Sequence, residues 1–394
     1  MYSEMCSGPL PLLRTLIVNP DEWSRFNTVT PPLLPFFGGA FNLKQLVFNS
    51  KKLNFLNHFV LPNLTIFELS TWQASTSNIS DLFSFLKASP KLRTVQMKIS
   101  GRIALGGVPQ EIVAILPNVE TISLSVGYGS GVYEVATRIS CPCAKNISLI
   151  HYESDDNYTP DLGIFPSPAL WSAISSQYAR NPVEEVTLEI EPGRYGGTVE
   201  CFLISRSSDT TTVRLCFRVD ESGEDGIHTP FDAMGWELFS RACSAIQDHP
   251  SLADIKRLHI KYRAAISYVD QAIPISNEVG ELFNSMGPLD ELTIHGCDLN
   301  VFLGSFLDLM DPDEFEPPDP FPYIKELTIS HPLMEINEEE CLGAIVDLAE
   351  SQHERGIPFE RVTVRAAWLP TAMAERLREW VDVVECYEEE YKEG

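Results

Sequence analysis

The chain is poor in positive charge. Among its 394 residues, Lys and Arg number 29 against 55 Asp and Glu, for a net charge of −26 with histidine neutral. A polyanion of this kind repels phosphate backbones and anionic lipid, so binding to nucleic acid or to an acidic membrane surface is disfavoured. No apolar run reaches the roughly 20 residues that span a bilayer. The apolar stretch at the start, Leu10 to Val18, is broken by Arg14 and followed by no small-residue cleavage site, so it reads as a strand and not as a secretory leader. Signatures of catalysis are missing as well: there is no GxxxxGK[ST], no HExxH and no GxSxG. Gly127, Gly129 and Gly131 fail the GxGxxG spacing and read as a turn. The acidic run Asp308, Asp311, Asp313, Glu314, Glu316 and Asp319 has no central glycine for a calcium loop. It is crowded with Pro312, Pro317, Pro318 and Pro320, which makes it a solvated loop.

The nine cysteines are odd in number and scattered without a ladder of spacings. They read as reduced thiols, which points to a cytoplasmic or nuclear protein. Cys141-Pro142-Cys143 is too tight for a two-spacer zinc knuckle and has no His or Cys pair nearby to complete one, so no metal and no cofactor is expected. Four N-x-Ser/Thr sequons, beginning at Asn63, Asn78, Asn146 and Asn157, then read as chance matches.

Against these absences stands a repetition. Twelve stretches fit one template, apolar-x-x-apolar-x-apolar. In the first half its three positions are Leu13, Leu16, Val18; Leu43, Leu46, Phe48; Leu64, Phe67, Leu69; Leu92, Val95, Met97; Val119, Ile122, Leu124; and Ala144, Ile147, Leu149. In the second half they are Val183, Val186, Leu188; Thr210, Val213, Leu215; Ile255, Leu258, Ile260; Leu289, Leu292, Ile294; Ile324, Leu327, Ile329; and Phe359, Val362, Val364. A fainter thirteenth copy falls at Val381, Val384 and Cys386. Middle positions recur 21 to 45 residues apart, inside the range of solenoid repeats.

Spacing by two at the end of each copy is strand alternation, with one face core and the other display. Helical spacing of three or four appears between copies, at Ile79 to Leu86, Gln110 to Leu116, Trp236 to Ile246, Val279 to Met286 and Cys341 to Ala349. Proline punctuates the return to strand, as in Leu61-Pro62-Asn63, Ser89-Pro90-Lys91 and Leu116-Pro117-Asn118. Strands pack about 4.8 Å apart and helices about 8 to 10 Å apart, so a stack with strands on one side and helices on the other curves. The expected fold is an α/β leucine-rich-repeat solenoid, a horseshoe with a curved parallel β-sheet on its concave face and helices on its convex face. It is expected to be a single domain over residues 1–394 with about 12 to 13 irregular repeats, ending in a C-terminal cap and acidic tail over 371–394.

Three columns of side chains should face the concavity. The middle one runs Ile17, Val47, Glu68, Gln96, Ser123, Ser148, Thr187, Arg214, His259, Thr293, Thr328 and Thr363. Within these columns Arg214 and Arg218, then Arg257, His259, Lys261 and Arg263 on the following template strand, form a basic patch in an acidic protein, preceded by a strand carrying Glu185 and Glu189. Adjacent stripes of opposite charge either neutralise each other or leave the patch to receive an acidic or phosphorylated segment of a partner protein, since Arg forks bind carboxylate and phosphate bidentately. An enzymatic arrangement of His259, His295 and Glu291 has no local motif behind it.

The repeat spacing, the Leu-Pro-Asn-Leu type strand beginnings, the phrase Cys141-Pro142-Cys143-Ala144-Lys145-Asn146 and the ending Met373-Ala374-Glu375-Arg376-Leu377-Arg378-Glu379-Trp380-Val381 resemble the leucine-rich-repeat region of mushroom-type fungal F-box proteins. In that family an N-terminal F-box docks on an adaptor of a cullin-based ubiquitin ligase while the repeats hold the protein to be modified. Twelve residues before Leu13 leave no room for an F-box. The resemblance therefore implies only the substrate-holding half, with adaptor docking expected of a longer form, and it implies no catalytic residue. A stand-alone repeat protein that binds or inhibits a partner without any link to ubiquitin is the alternative.

Overall fold

A proline-centred turn recurs ahead of the strands in the first half of the chain. Leu64 N–H donates to the Leu61 carbonyl, Leu92 to Ser89, Val119 to Leu116 and Ala144 to Cys141, at 3.0 to 3.4 Å. In each turn the second residue is proline, namely Pro62, Pro90, Pro117 and Pro142, whose fixed φ suits that position and whose missing N–H is not needed there. The first residue of each turn is buried and so is the fourth, the first template position of the next strand. Cys141-Pro142-Cys143 is thus a repeat turn.

The computed structural model describes residues 13–18, 42–52, 61–73, 76–99, 114–127, 131–154, 184–193, 196–205, 211–220, 254–262, 282, 286–296, 323–330, 338–366 and 371–388. The chain forms two compact units, one made of Met1–Arg180 with Ser207–Ser222 and the other of Asn181–Arg206 with Gly223–Gly394.

The first unit holds β1 (Thr15–Val18), β2 (Gln45–Lys52), β3 (Ile66–Gln73), β4 (Thr94–Ile99), β5 (Ala114–Ile115), β6 (Thr121–Gly127), β7 (Ile139–Ser140) and β8 (Asn146–Ser154). The next two strands, β9 (Glu185–Gly193) and β10 (Gly196–Ser205), belong to the second unit, and β11 (Thr211–Asp220) belongs again to the first. The sheet of the first unit is ordered β1-β2-β3-β4-β6-β8-β11, and all its pairs are parallel. Register follows the template: Leu16, Leu46, Phe67, Val95, Ile122, Ile147 and Val213 are successive partners. Leu46, Phe67, Val95, Ile122 and Ile147 are almost wholly buried, each contributing about 1.5 to 3 kcal/mol in transfer terms. On the edge strand β1, Leu16 is only half-buried and Ile17 is 60% exposed.

At the mouth of each strand one carbonyl accepts two N–H groups of the next coil. Arg14 O takes Lys44 and Gln45, Lys44 O takes Thr65 and Ile66, Thr65 O takes Arg93 and Thr94, Arg93 O takes Glu120 and Thr121, and Glu120 O takes Lys145 and Asn146. Register is therefore fixed by hydrogen bonds ahead of the strand and by packing within it. The helix α1 (Thr76–Lys87) covers the core, with Ile79, Leu82, Phe83, Phe85 and Leu86 buried and the Phe85 ring centroid 4.9 Å from that of Phe67. A short helix, α2 (Gly131–Ala136), follows the Gly127–Gly131 segment. Of the helix expected over Gln110 to Leu116, the described part is instead extended: Ala114–Ile115 pairs with β7 in a two-stranded sheet.

The second unit adds β12 (Arg257–Tyr262), β13 (Leu289–His295), β14 (Ile324–Ser330), β15 (Arg361–Ala366) and β16 (Val383–Glu388), with the helices α3 (Glu338–Glu354) and α4 (Thr371–Trp380). Its order is β10-β9-β12-β13-β14-β15-β16. Only β9 and β10 run antiparallel. Val186, Leu258, Leu292, Leu327, Val362 and Val384 are successive partners, and all but Val384 are buried to within 1% of completeness. The faint thirteenth copy is thus a strand in register. Ile345, Val346, Leu348 and Ala349 of α3 and Leu377 of α4 bury their side chains, and the His353 ring meets Trp380 edge-on at 5.3 Å. At its C-terminus α3 is capped by Gly356 in the left-handed region (φ 76°), with Gly356 N–H on His353 O and Ile357 N–H on Gln352 O.

The fold is α/β with mostly parallel strands, as the alternation of strand and helix patterns requires. Strand order also departs from expectation. The template order would place β11 next to β12, but β12 is flanked by β9 and β13, and β11 lies against β8. The cause is the hairpin β9–β10, in which Gly193 and Gly196 are register partners separated by two residues. The expected helix at Trp236 to Ile246 and the acidic run 308–319 fall outside the described residues, as does most of the stretch Val279 to Met286.

Candidate functional site

The outward side of the second unit's sheet is built by alternation. Because Leu258, Ile260 and their partners point into the core, Arg257, His259 and Lys261 point the other way, and parallel register lines up three rows. The row at the strand starts reads Glu185, Arg257, Glu291, Glu326, Arg361, Val383; the central row reads Thr187, His259, Thr293, Thr328, Thr363, Glu385; the last row reads Glu189, Lys261, His295, Ser330, Arg365, Tyr387.

Charge is matched at one corner of this face. Glu185 is buried, with Oε2 3.6 Å from Arg257 Nη1 and Oε1 3.7 Å from His259 Nε2. Both separations are longer than a hydrogen bond; the contact with Arg257 is an ion pair, and that with His259 becomes one when the imidazole is protonated. Lys261 is the register partner of Glu189. Thr293 Oγ1 donates to Glu291 Oε1 at 3.0 Å, and Lys325 Nζ lies 3.0 Å from Asp290 Oδ1 at the mouth of β13. That carboxylate raises the Lys325 pKa above its usual value through the hydrogen bond and its charge.

The basic patch expected from sequence is therefore divided. Arg257, His259 and Lys261 sit beside Glu185 and Glu189 in the second unit, as the striped pattern implied. Arg214 and Arg218 belong to the first unit, where they are register partners of Ser148 and Tyr152 on β8. Arg263 lies outside the described residues. His259 and His295 fall in different rows, His259 opposite Thr293 and His295 opposite Lys261. Arg361, Arg365 and Tyr387 belong to the same face but were not in the sequence-derived set. Arg361 and Arg365 stand in the outer columns of the twelfth copy, and extending the columns through the thirteenth adds Tyr387.

In the first unit the corresponding face carries Val47, Glu68, Gln96, Ser123 and Ser148, with Gln45 Nε2 donating to Glu68 Oε1 at 3.0 Å. Its turns stack on one another: Lys91 Nζ reaches Asn63 Oδ1 at 2.7 Å and Asn118 Nδ2 reaches the Pro90 carbonyl at 2.9 Å. Burial pushes the Cys141 thiol up to about 12, whereas Cys143 is exposed. Among the described residues no three His, Cys, Asp or Glu side chains gather as metal ligands, and no helix is long and apolar enough to cross a membrane. The chain matches no protein-family model and no curated protein.

Proposed function

We propose that the chain is a non-catalytic leucine-rich-repeat solenoid that holds a protein partner on the strand face of its sheet. In this reading it corresponds to the substrate-holding half of an F-box subunit of a cullin-based ubiquitin ligase. The observation that carries the reading is the register of the second unit, which sets six parallel strands side by side. From β9 to β15 the outward rows are polar or charged and the inward rows aliphatic; on β16 the outward row ends in the exposed Val383. The half-exposed His259, Thr293 and Thr328 of the central row, between two charged rows, present polar groups at fixed spacing, which suits recognition of a protein surface more than the enclosure of a small molecule. An anionic chain of this composition is expected to bind neither nucleic acid nor membrane.

Affinity purification with the full chain as bait, followed by mass spectrometry, tests this. The ubiquitin-ligase reading predicts a specific protein partner here and, for a longer form bearing an F-box, adaptor and cullin subunits in addition. A partner without ligase subunits in either case identifies a stand-alone binding protein. Absence of any partner contradicts the proposal.

A further inference from the structure

Among the described residues, the cations on the outward face of the second unit do not all have a carboxylate as row neighbour. Arg257 has Glu185, and Arg361 is the register partner of Glu326. Arg365 differs: its row neighbours are Ser330 on β14 and Tyr387 on β16. The guanidinium carbon sits 5.7 Å from the centre of the Tyr387 ring, and that ring is 49% exposed while its hydroxyl donates to Glu385 Oε2 at 3.2 Å. An exposed Arg held over an exposed Tyr joins the two residue types that most often carry binding energy at protein interfaces. The uncharged ring attracts the guanidinium without neutralising it, so its charge stays open to a carboxylate.

The same row holds Lys261 at its other end, with His295 and Ser330 between. The row therefore carries two permanent positive charges against the single carboxylate of Glu189, in a chain whose net charge is −26. From β12 to β15 there are three strand steps, about 14 Å at about 4.8 Å each. An extended peptide covers that distance in about four residues at about 3.3 Å per residue.

We infer that the row Lys261–His295–Ser330–Arg365, closed by Tyr387, is a docking site for an extended acidic protein segment lying across the strands, with carboxylates four residues apart on Lys261 and Arg365. This rests on the reading of the chain as a protein-binding module and names the chemistry of its partner.

The test uses the full chain and three fluorescein-labelled dodecapeptides of glycine and serine, each with two glutamates placed one, four or seven residues apart, in fluorescence anisotropy at about 20 mM salt. The four-residue spacing should bind best, and Arg365→Ala, Lys261→Ala and Tyr387→Ala should each weaken it by about tenfold. Arg378→Ala removes an exposed charge of the same kind on α4, outside the strand face, and should leave binding unchanged. Equal loss with Arg378→Ala and Arg365→Ala, indifference to spacing, or failure of all three peptides to bind overturns the site. If a natural partner is captured equally well by the Lys261→Ala and Arg365→Ala variants, the acidic-segment site fails while the binding-module reading stands. If no partner is captured by the wild-type chain, that reading itself fails.

Discussion

Glu185 of β9 is buried against Arg257 of β12, its Oε2 3.6 Å from the Arg257 Nη1, while its other oxygen lies 3.7 Å from His259 Nε2. Desolvation makes such a pair costly to break and cheap to replace. Arg257→Ala, which leaves the carboxylate behind, should lower stability by about 1 to 3 kcal/mol. The double change Glu185→Leu with Arg257→Met, which removes both charges, should fall within about 1 kcal/mol of wild type. Urea denaturation of the three proteins measures both values.

Core and display positions alternate residue by residue along each strand, so neighbouring substitutions should behave oppositely. Leu292 is fully buried between Leu258 and Leu327, and Leu292→Ala should cost about 2 to 5 kcal/mol. Thr328, half-exposed on the next strand, should tolerate alanine within about 0.5 kcal/mol. Thermal denaturation followed by far-UV circular dichroism distinguishes the two.

The strand ladder was legible because the buried face writes a two-residue period directly into the sequence, and copies as weak as Ala144-Ile147-Leu149 and Val381-Val384-Cys386 still fall in register. What escaped was pairing order. The template marks where a strand lies but not which neighbour it takes, and β10, outside the template, ends up beside β9 through a hairpin closed by the Gly193–Gly196 pair. The signal existed in Gly193, Gly196 and Gly197 flanked by apolar residues, a pattern suited to a tight antiparallel turn. Without that signal Arg214 and Arg218 fall into a patch whose other members belong to the second unit, while Arg365 is an outer-column residue of the twelfth copy and Tyr387 belongs to the thirteenth.

The turn geometry separates two cysteines only two residues apart. Cys141 occupies the buried first position of its turn and Cys143 the exposed third. Iodoacetamide at neutral pH should alkylate Cys143 and leave Cys141 unmodified in the native protein, as peptide mapping would show. With the Cys141 thiol raised from 9.0 to about 12, the folded state holds its proton more tightly than the unfolded chain does. Its contribution to stability is full below pH 9 and is lost as pH rises toward about 12. Cys141→Ala should flatten the fall in stability across that alkaline window.

Gln352 is completely buried in α3, and neither side-chain polar atom has a hydrogen-bond partner among the described residues. An unpaired amide in that position opposes folding. Gln352→Met, similar in volume, should raise stability by about 1 kcal/mol or more in urea unfolding.

A partner held on the outward strand face must lose its seat when the centre of that face is altered. The direct measurement is quantitative affinity purification with wild type and the double variant Thr293→Arg, Thr328→Arg, which adds bulk and charge at the centre of that face without touching the aliphatic rows. With both proteins shown to be folded by circular dichroism, the account predicts that the partner recovered with wild type is lost with the variant. Equal recovery by the two proteins would contradict it.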